Sequence, residues 1–204
     1  MRQRPLDLSR QPELSFATLV EGESNSAALA YLKAYPDWPS PVVLLIGPEG
    51  AGKTHMGRAF AGRYPDTLFI DDADRADEDN LFAQLNSALS GDVPSIVLAS
   101  RSAPSAWGTE MPDLRSRLSN VPVFTVEEPG DDILRPILVQ LFYNRGRLLG
   151  PDVVDYMLTR CPRSVSELTP IVEAIESEAQ AEKADVTKTF VSRFLSRQPD
   201  LFEF

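Results

Sequence analysis

The sequence predicts an α/β protein in which four short strands are followed by a tail of helices. Strands are indicated by four compact apolar runs rich in β-branched residues. They lie at residues 42–46, 67–70, 95–100 and 122–126, with amphipathic helical patterns between most of them. From Asp131 onward only helical periodicity remains. We therefore expect a sheet-based domain first and a smaller helical domain after it.

The first predicted strand leads directly into a glycine-rich loop, in the run VVLLIGPEGAGKT. Gly47, Gly52, Lys53 and Thr54 fit the spacing G-x-x-x-x-G-K-[ST], the Walker A motif. Glycines allow backbone N–H groups to close around phosphate oxygens without Cβ clashes, and the helix that follows directs its N-terminal dipole at the same site. The lysine would reach the β and γ phosphates, and the threonine hydroxyl would bind Mg²⁺.

The second and third strands end in polar residues that suit the same chemistry. The run TLFI is followed by Asp71 and Asp72, which is a Walker B pattern. Asp71 would hold the water shell of Mg²⁺, and Asp72 would orient or deprotonate the attacking water. The acidic residues that continue to Asp79 are interpreted as a solvated loop and helix start. Ser100 ends the third strand and is placed to contact the γ phosphate.

Composition limits the possible functions and locations. The net charge is -10 and the pI about 4.6, which is the wrong sign for a protein that binds mainly by neutralising many phosphates. One cysteine, Cys161, excludes an intrachain disulfide framework and suits a reducing compartment. No apolar run approaches eighteen residues and no charged-then-apolar leader is present, so we expect a cytoplasmic protein without a membrane segment.

Several helix boundaries are also predicted from local signals. Ser24 or Asn25 can cap the helix that begins in SAALAYLKAY. Pro136 is expected to kink or start the first helix of the tail. Ser164 and Glu167 have the spacing of a capping box at the start of a later helix.

Three short segments near the ends of the chain share the pattern of a glutamine followed by two apolar residues. Such a peptide suits a groove, with one amide to fix the register and two apolar side chains to fill pockets. The first is Gln3, Leu6 and Leu8, in a polar arm expected to be extended and mobile. The others are Gln11, Leu14 and Phe16, where Phe16 is expected to be buried, and Gln198, Leu201 and Phe202 in the C-terminal tail.

Four blocks in this order, SFATLVEGESN, GPEGAGKTH, FIDDADR and PDLRSRL, resemble the AAA+ domain of the bacterial initiator DnaA. They resemble more closely the shortened Hda family, the regulatory inactivators of DnaA. The resemblance covers nearly the whole chain and implies a parallel, right-handed α/β P-loop NTPase domain followed by a helical lid. The expected divisions are an arm with a clamp-binding peptide at 1–12, the nucleotide domain at 13–128, the lid at 129–197 and a tail at 198–204.

The resemblance also implies roles for individual residues. Arg117 in RSRL matches an arginine finger, which acts on the nucleotide of a neighbouring molecule, and Ser100 lies near the sensor 1 position. The arm at Gln3, Leu6 and Leu8 lies where Hda proteins carry their sliding-clamp peptide. Contacts to ADP or ATP are expected from Leu19, Val20, Gly47, Pro48, Glu49, Gly50, Ala51, Gly52, Lys53, Thr54 and His55. For His55, a helix-packing role is favoured over catalysis.

Three departures from DnaA affect these expectations. Only sixteen residues separate Thr54 from Asp71, so the strand and helix that usually lie between the two Walker motifs should be absent, leaving a four-stranded sheet. Ser166 stands where the lid of DnaA has the sensor 2 arginine, which should weaken coupling to this chain's own nucleotide. Arg101 stands where DnaA commonly has an acidic residue, and the sequence offers no physical account of its effect.

These observations predict an Hda-like adaptor that binds adenine nucleotide with Mg²⁺ and docks on the replicative clamp. It would stimulate hydrolysis of DnaA-bound ATP through Arg117 and so restrain replication initiation. Direct sequence-specific DNA binding is not expected, and a homo-oligomer through AAA+ interfaces remains possible. One alternative is a self-contained AAA+ ATPase that loads or remodels another replication protein. Another is an adaptor whose nucleotide serves only as ligand and scaffold.

Overall fold

A computed structural model describes residues 15–197. Within this range the strands are β1 (Val42–Ile46), β2 (Leu68–Ile70), β3 (Ile96–Ser100) and β4 (Val123–Thr125). The helices of the sheet domain are α1 (Ser26–Lys33), α2 (Lys53–Arg63), α3 (Glu78–Ser90) and α4 (Pro112–Leu118). The tail contains α5 (Asp131–Tyr143), α6 (Pro151–Leu158), α7 (Val165–Glu182) and α8 (Lys188–Arg197). Short 3₁₀ turns lie at Phe16–Thr18, Ala73–Arg75 and Pro104–Ala106.

The strands form one sheet in the order β2-β3-β1-β4, and every pairing is parallel. β1 and β3 lie in the centre, and their five-residue apolar runs are almost entirely buried. Their register pairs Ile46 with Ser100, so both strands end at the same level. Because parallel strands present their carboxyl ends at one edge, the segments after β1, β2 and β3 meet there. The predicted fold class, a four-stranded parallel sheet followed by helices, is confirmed.

Three hydrophobic clusters hold these layers together. One contains Leu29, Phe60 and other residues that pack α1 and α2 on one face of the sheet, and another packs α3 and α4 on the opposite face. The third runs from Leu134 to Phe194 and contains residues of α5 to α8 and of the loops between them, such as Cys161. A search of residues 15–197 finds no helix with the length and apolar character needed to cross a membrane.

The segment between the two Walker motifs contains one helix and one strand, as its length predicts. α2 follows the glycine-rich loop and returns the chain to β2, which forms an edge of the sheet. Gly57 allows this close return, because a Cβ there would lie 2.0 Å from Cε2 of Phe69 in β2. A side chain at position 57 would therefore require either the Phe69 ring or α2 to shift.

Two local predictions need correction, and one of the two alternatives for Pro136 is excluded. Helix α5 begins at Asp131 and continues through Pro136, so the proline does not start the helix. A proline inside a helix removes one backbone hydrogen bond and crowds the carbonyl four residues before it, so a kink stays the prediction here. The capping box at Ser164 is not formed, because its hydroxyl pairs with that of Ser166 at 2.7 Å. Asn25 occupies the N-cap position of α1 but makes no capping hydrogen bond with its side chain.

Cys161 lies in the helical cluster and is 8% exposed, and burial raises the pKa of its thiol to about 11. The thiol of the unfolded chain loses its proton near pH 8.5, so the folded chain holds this proton more tightly. The contribution of this thiol to the free energy of unfolding is therefore fully present below about pH 8.5 and is lost as the pH rises to 11. We expect the free energy of unfolding to fall by about 3 kcal/mol over that interval through this thiol.

Urea unfolding of the wild type and of Cys161→Ala at pH 8 and pH 11 tests this expectation. Both proteins lose stability as other groups titrate, but the wild type should lose more because only it carries the buried thiol. Equal losses would show that the thiol is not protected by burial.

Candidate functional site

The loop between β1 and α2 forms a backbone cradle at the carboxyl edge of the sheet. Gly50 and Gly52 have φ values of +77° and +96°, in the left-handed region that favours glycine. A Cβ at Gly47 would lie 1.9 Å from the carbonyl oxygen of Val126, which follows β4. Gly52 is also the N-cap residue of α2, so the free N–H groups of that helix begin at the loop. Such an arrangement suits the oxygens of a polyphosphate.

Lys53 holds its ammonium inside this cradle. The side chain is buried, and Nζ donates hydrogen bonds of 2.7 Å to the carbonyl oxygens of Gly47 and Pro48. Burial lowers the pKa of Lys53, while the nearby carboxylate of Asp71 opposes this effect. The ammonium is thus positioned at the base of the loop, where a bound phosphate would be an additional partner.

Asp71 and Asp72 follow β2 directly and are both exposed at the same edge. The N–H of Asp72 donates to Oδ1 of Asp71 at 3.2 Å. Asp72 has φ +46°, a conformation that aspartate and asparagine adopt more readily than other residues with side chains. Thr54 lies in the first turn of α2 at the same edge, and its hydroxyl and the Asp71 carboxylate are the kind of oxygen ligands that Mg²⁺ takes beside a nucleotide. The residues present therefore fit a nucleotide with Mg²⁺.

Ser100 ends β3 beside this loop, and its carbonyl accepts a hydrogen bond from the N–H of Gly47 at 3.3 Å. Its side chain is 1% exposed. The hydroxyl donates to the carbonyl of Ser102 at 2.8 Å and accepts from the N–H of Ser102 at 3.1 Å. To donate to a γ phosphate, the Ser100 hydroxyl would have to break its hydrogen bond to the carbonyl of Ser102.

The segment that carries Leu19 and Val20 makes polar contacts with α2 and with the N-cap residue of α1. His55 Nε2 lies 3.1 Å from Oγ1 of Thr18, and burial lowers the pKa of His55. Asn25 donates from Nδ2 to the carbonyl of Val20 at 2.9 Å. Sequence reasoning missed this use of Asn25, which fixes the residues expected to contact the base. The signal was the asparagine that ends the SFATLVEGESN block.

The helical tail meets the glycine-rich loop at Ser164. A Cβ on Gly50 would lie 2.5 Å from Oγ of Ser164, so the two segments are in close contact. Ser166, which the resemblance compares with the sensor 2 arginine of DnaA, bonds to Ser164. Arg163 precedes α7 and donates to Asp131 at 2.7 Å.

Arg101 provides a second cation beside the loop. It follows β3 directly, and its guanidinium lies 2.7 Å from the carboxylate of Glu49 in the glycine-rich loop. It also contributes to lowering the pKa of Lys53, after burial and Asp71 in the order of effects. Sequence reasoning gave Arg101 no role, because an ion pair between residues 49 and 101 depends on the register of β1 and β3.

Arg117 lies near the amino end of β1, at the edge of the sheet opposite this cradle. Its guanidinium stacks over the ring of Phe82, with Cζ 5.0 Å from the ring centroid. It lines a groove with residues of α3, of α4 and of the chain before and at the start of β1: Ser40, Val42, Leu85, Leu89, Ser116, Asn120 and Val121. The glycine-rich loop follows the opposite end of β1, roughly 13 Å away along a five-residue strand at about 3.3 Å per residue.

The predicted clamp-binding residues Gln3, Leu6 and Leu8 lie outside the described residues, as does the tail at 198–204. Phe16 is described, and it packs partly buried against the cluster of α1 and α2. Phe16 is thus partly buried, where the sequence predicted a buried residue.

Comparison with solved structures places this fold among AAA+ domains. Domain III of the replication initiation protein DnaA of Thermotoga maritima superposes with a TM-score of 0.74 at 17% identity, covering 92% of this chain and 97% of that one. AMPPCP-bound DnaA of Aquifex aeolicus gives 0.69 at 17% identity, covering 93% and 71%. The protein therefore has a DnaA-like AAA+ fold.

Comparison of sequences adds a relative without an assigned role. An uncharacterized protein of Haemophilus influenzae is 22% identical over 229 residues, which cover 96% of this chain and 99% of that protein. No family model matches the sequence.

Proposed function

We propose that this protein is an AAA+ adaptor that binds adenine nucleotide and stimulates hydrolysis of ATP held by DnaA. Nucleotide binding is supported by the glycine cradle, by the buried Lys53 and by the carboxylates of Asp71 and Asp72. It is further supported by the likeness to a DnaA whose structure contains AMPPCP. Mg²⁺ would be held by Thr54 and Asp71, with the nucleotide supplying further oxygens.

The observation that carries the proposal is the position of Arg117. It lies by the amino end of β1, whereas the cradle follows the carboxyl end. Arg117 therefore lies at the edge of the sheet opposite this chain's own nucleotide site, which supports the proposal that the nucleotide it contacts belongs to another molecule. Stacking over Phe82 restricts the guanidinium, so less conformational freedom is lost when it binds a phosphoryl group.

DnaA is the proposed partner because the motif blocks and the fold both resemble its AAA+ domain. AAA+ domains of related shape can associate so that one molecule presents an arginine to the nucleotide of the next. In this complex Arg117 would stabilise the charge that develops on the γ phosphoryl of DnaA-bound ATP. DnaA-ATP would become DnaA-ADP, and initiation would be restrained.

Attachment to the replicative clamp is proposed for the arm that carries Gln3, Leu6 and Leu8. Binding through this arm would raise the effective concentration of the adaptor near replicated DNA without new contacts to DnaA. The net charge of -10 agrees with a protein whose DNA contact is supplied by the clamp.

The proposal is tested by following hydrolysis of ATP pre-bound to DnaA, with and without clamp loaded on DNA. The wild type should accelerate hydrolysis strongly only when the clamp is present. Leu6→Ala with Leu8→Ala should lower this acceleration about 100-fold, in line with the avidity gained by tethering. Clamp-independent acceleration by both proteins would show that the arm has another role.

The self-contained ATPase is distinguished by turnover of the purified protein alone. Asp72→Asn is a suitable variant because asparagine also tolerates the left-handed conformation at this position. Robust turnover in the wild type that is lost in Asp72→Asn would favour that alternative over the adaptor.

A further inference from the structure

We propose that Arg101 distinguishes ATP from ADP in this chain's own nucleotide site. Its guanidinium would leave Glu49 and pair with the γ phosphate, which only ATP carries. The inference rests on the proposed nucleotide binding and adds a specificity-determining residue to that site.

Backbone register places Arg101 at the cradle. β3 pairs with β1 so that Ser100 lies opposite Ile46, and the carbonyl of Ser100 accepts from the N–H of Gly47. Arg101 is the next residue, and it therefore begins where the glycine-rich loop begins. The register of the two central strands therefore fixes the backbone position of Arg101 relative to the glycine-rich loop.

The strand order places Arg101 on the γ side of the site. β3 lies between β1 and β2, so Arg101 follows the strand between the glycine-rich loop and the carboxylates of Asp71 and Asp72. A Walker lysine contacts the β and γ phosphates, and the Walker B carboxylate lies at the metal beside them. Arg101 shares these surroundings, so its guanidinium is placed for the end of the triphosphate and away from the base.

The ion pair with Glu49 is suited to exchange. The Glu49 and Arg101 side chains are 79% and 47% exposed. Pairs this exposed contribute little to stability, so little opposes their separation. A terminal phosphate carries more charge than a carboxylate and accepts two parallel hydrogen bonds from a guanidinium. Arg101 should therefore transfer to the γ phosphate of ATP and remain with Glu49 when ADP is bound.

Glu49 is a competitor in this scheme. Its carboxylate pairs with the Arg101 guanidinium before nucleotide binds, and its negative charge repels an approaching triphosphate. The lid offers no arginine for the γ phosphate at the position compared with sensor 2. Ser166 stands there and bonds to Ser164, and the nearby Arg163 is held by Asp131.

Equilibrium titrations of the full-length protein with ADP and with the ATP analogue AMPPCP, both with Mg²⁺, test this assignment. Arg101→Gln should weaken AMPPCP binding at least about 10-fold and ADP binding by no more than about 2-fold, since a charged hydrogen bond is worth about 1.5–3 kcal/mol. Glu49→Gln should tighten AMPPCP binding and change ADP binding less. Thermal melting of each variant without nucleotide establishes that it is folded.

The outcomes separate this inference from the proposed function. If the folded wild type binds neither nucleotide, both fail. If the wild type binds both nucleotides and Lys53→Ala weakens both, while Arg101→Gln changes neither or changes both equally, nucleotide binding stands and the role of Arg101 is overturned. Weakened AMPPCP binding in Glu49→Gln, equal to that in Arg101→Gln, would also overturn it, because the pair would then act only as a structural support.

Discussion

Replacing Arg117 with alanine is expected to remove the acceleration of ATP hydrolysis on DnaA, lowering the stimulated rate by on the order of 10³-fold. This corresponds to about 4 kcal/mol of transition-state stabilisation. A guanidinium that meets the γ phosphoryl only in the complex stabilises charge that develops during transfer, so its loss affects the rate more than assembly. The measurement is single-turnover hydrolysis of radiolabelled ATP pre-bound to DnaA, with clamp on DNA.

Two further variants make the result specific to the guanidinium. Arg117→Lys keeps the positive charge but loses the planar fork, so it should recover only a small part of the rate. Arg58→Ala removes an exposed arginine from α2, on the face of the sheet opposite α3 and α4, and should retain the wild-type rate. Full stimulation by folded Arg117→Ala would instead support an adaptor whose nucleotide is only ligand and scaffold.

Replacing Lys53 with alanine is expected to weaken binding of ADP and ATP by the protein at least about 100-fold, or about 3 kcal/mol. The ammonium is buried within the cradle, so its attraction for phosphate is less screened than that of an exposed lysine. Its hydrogen bonds to the carbonyls of Gly47 and Pro48 are also lost. Isothermal titration with each nucleotide gives the affinities.

Lys33→Ala is the matched control for the loss of one ammonium. Lys33 lies on α1, is about half exposed and pairs with Glu21 at 2.6 Å, so its removal should leave nucleotide affinity unchanged. If Lys53→Ala is folded and binds both nucleotides as tightly as Lys33→Ala does, the loop is not a phosphate cradle. Testing Lys53→Ala on DnaA also shows whether the adaptor needs its own nucleotide.

Much of the sheet domain could be predicted because its signals are local. A buried strand has a short apolar run, and the loop after β1 has glycines where the backbone takes positive φ. The short interval between the Walker motifs predicted four strands, because sixteen residues accommodate only α2 and β2. These features depend on nearby residues or on chain length, and both can be read from the sequence.

The relations that sequence reasoning missed join distant parts of the chain. The pairing of Glu49 with Arg101 requires the register of β1 and β3, and the contact of Gly50 with Ser164 requires the placement of the helical tail. Ser164 also shows why a spacing rule can fail. Its hydroxyl had a capping partner available in sequence, but it bonds to Ser166 beside the glycine-rich loop.

The most direct test of the adaptor account is the rate at which ATP pre-bound to DnaA is hydrolysed, with clamp-loaded DNA, in the presence and absence of the wild-type protein. The account predicts an acceleration of on the order of 10³-fold that requires Arg117 and the arm at Leu6 and Leu8. No acceleration by a folded, nucleotide-binding wild type would contradict it and would turn attention to other partners of the arm.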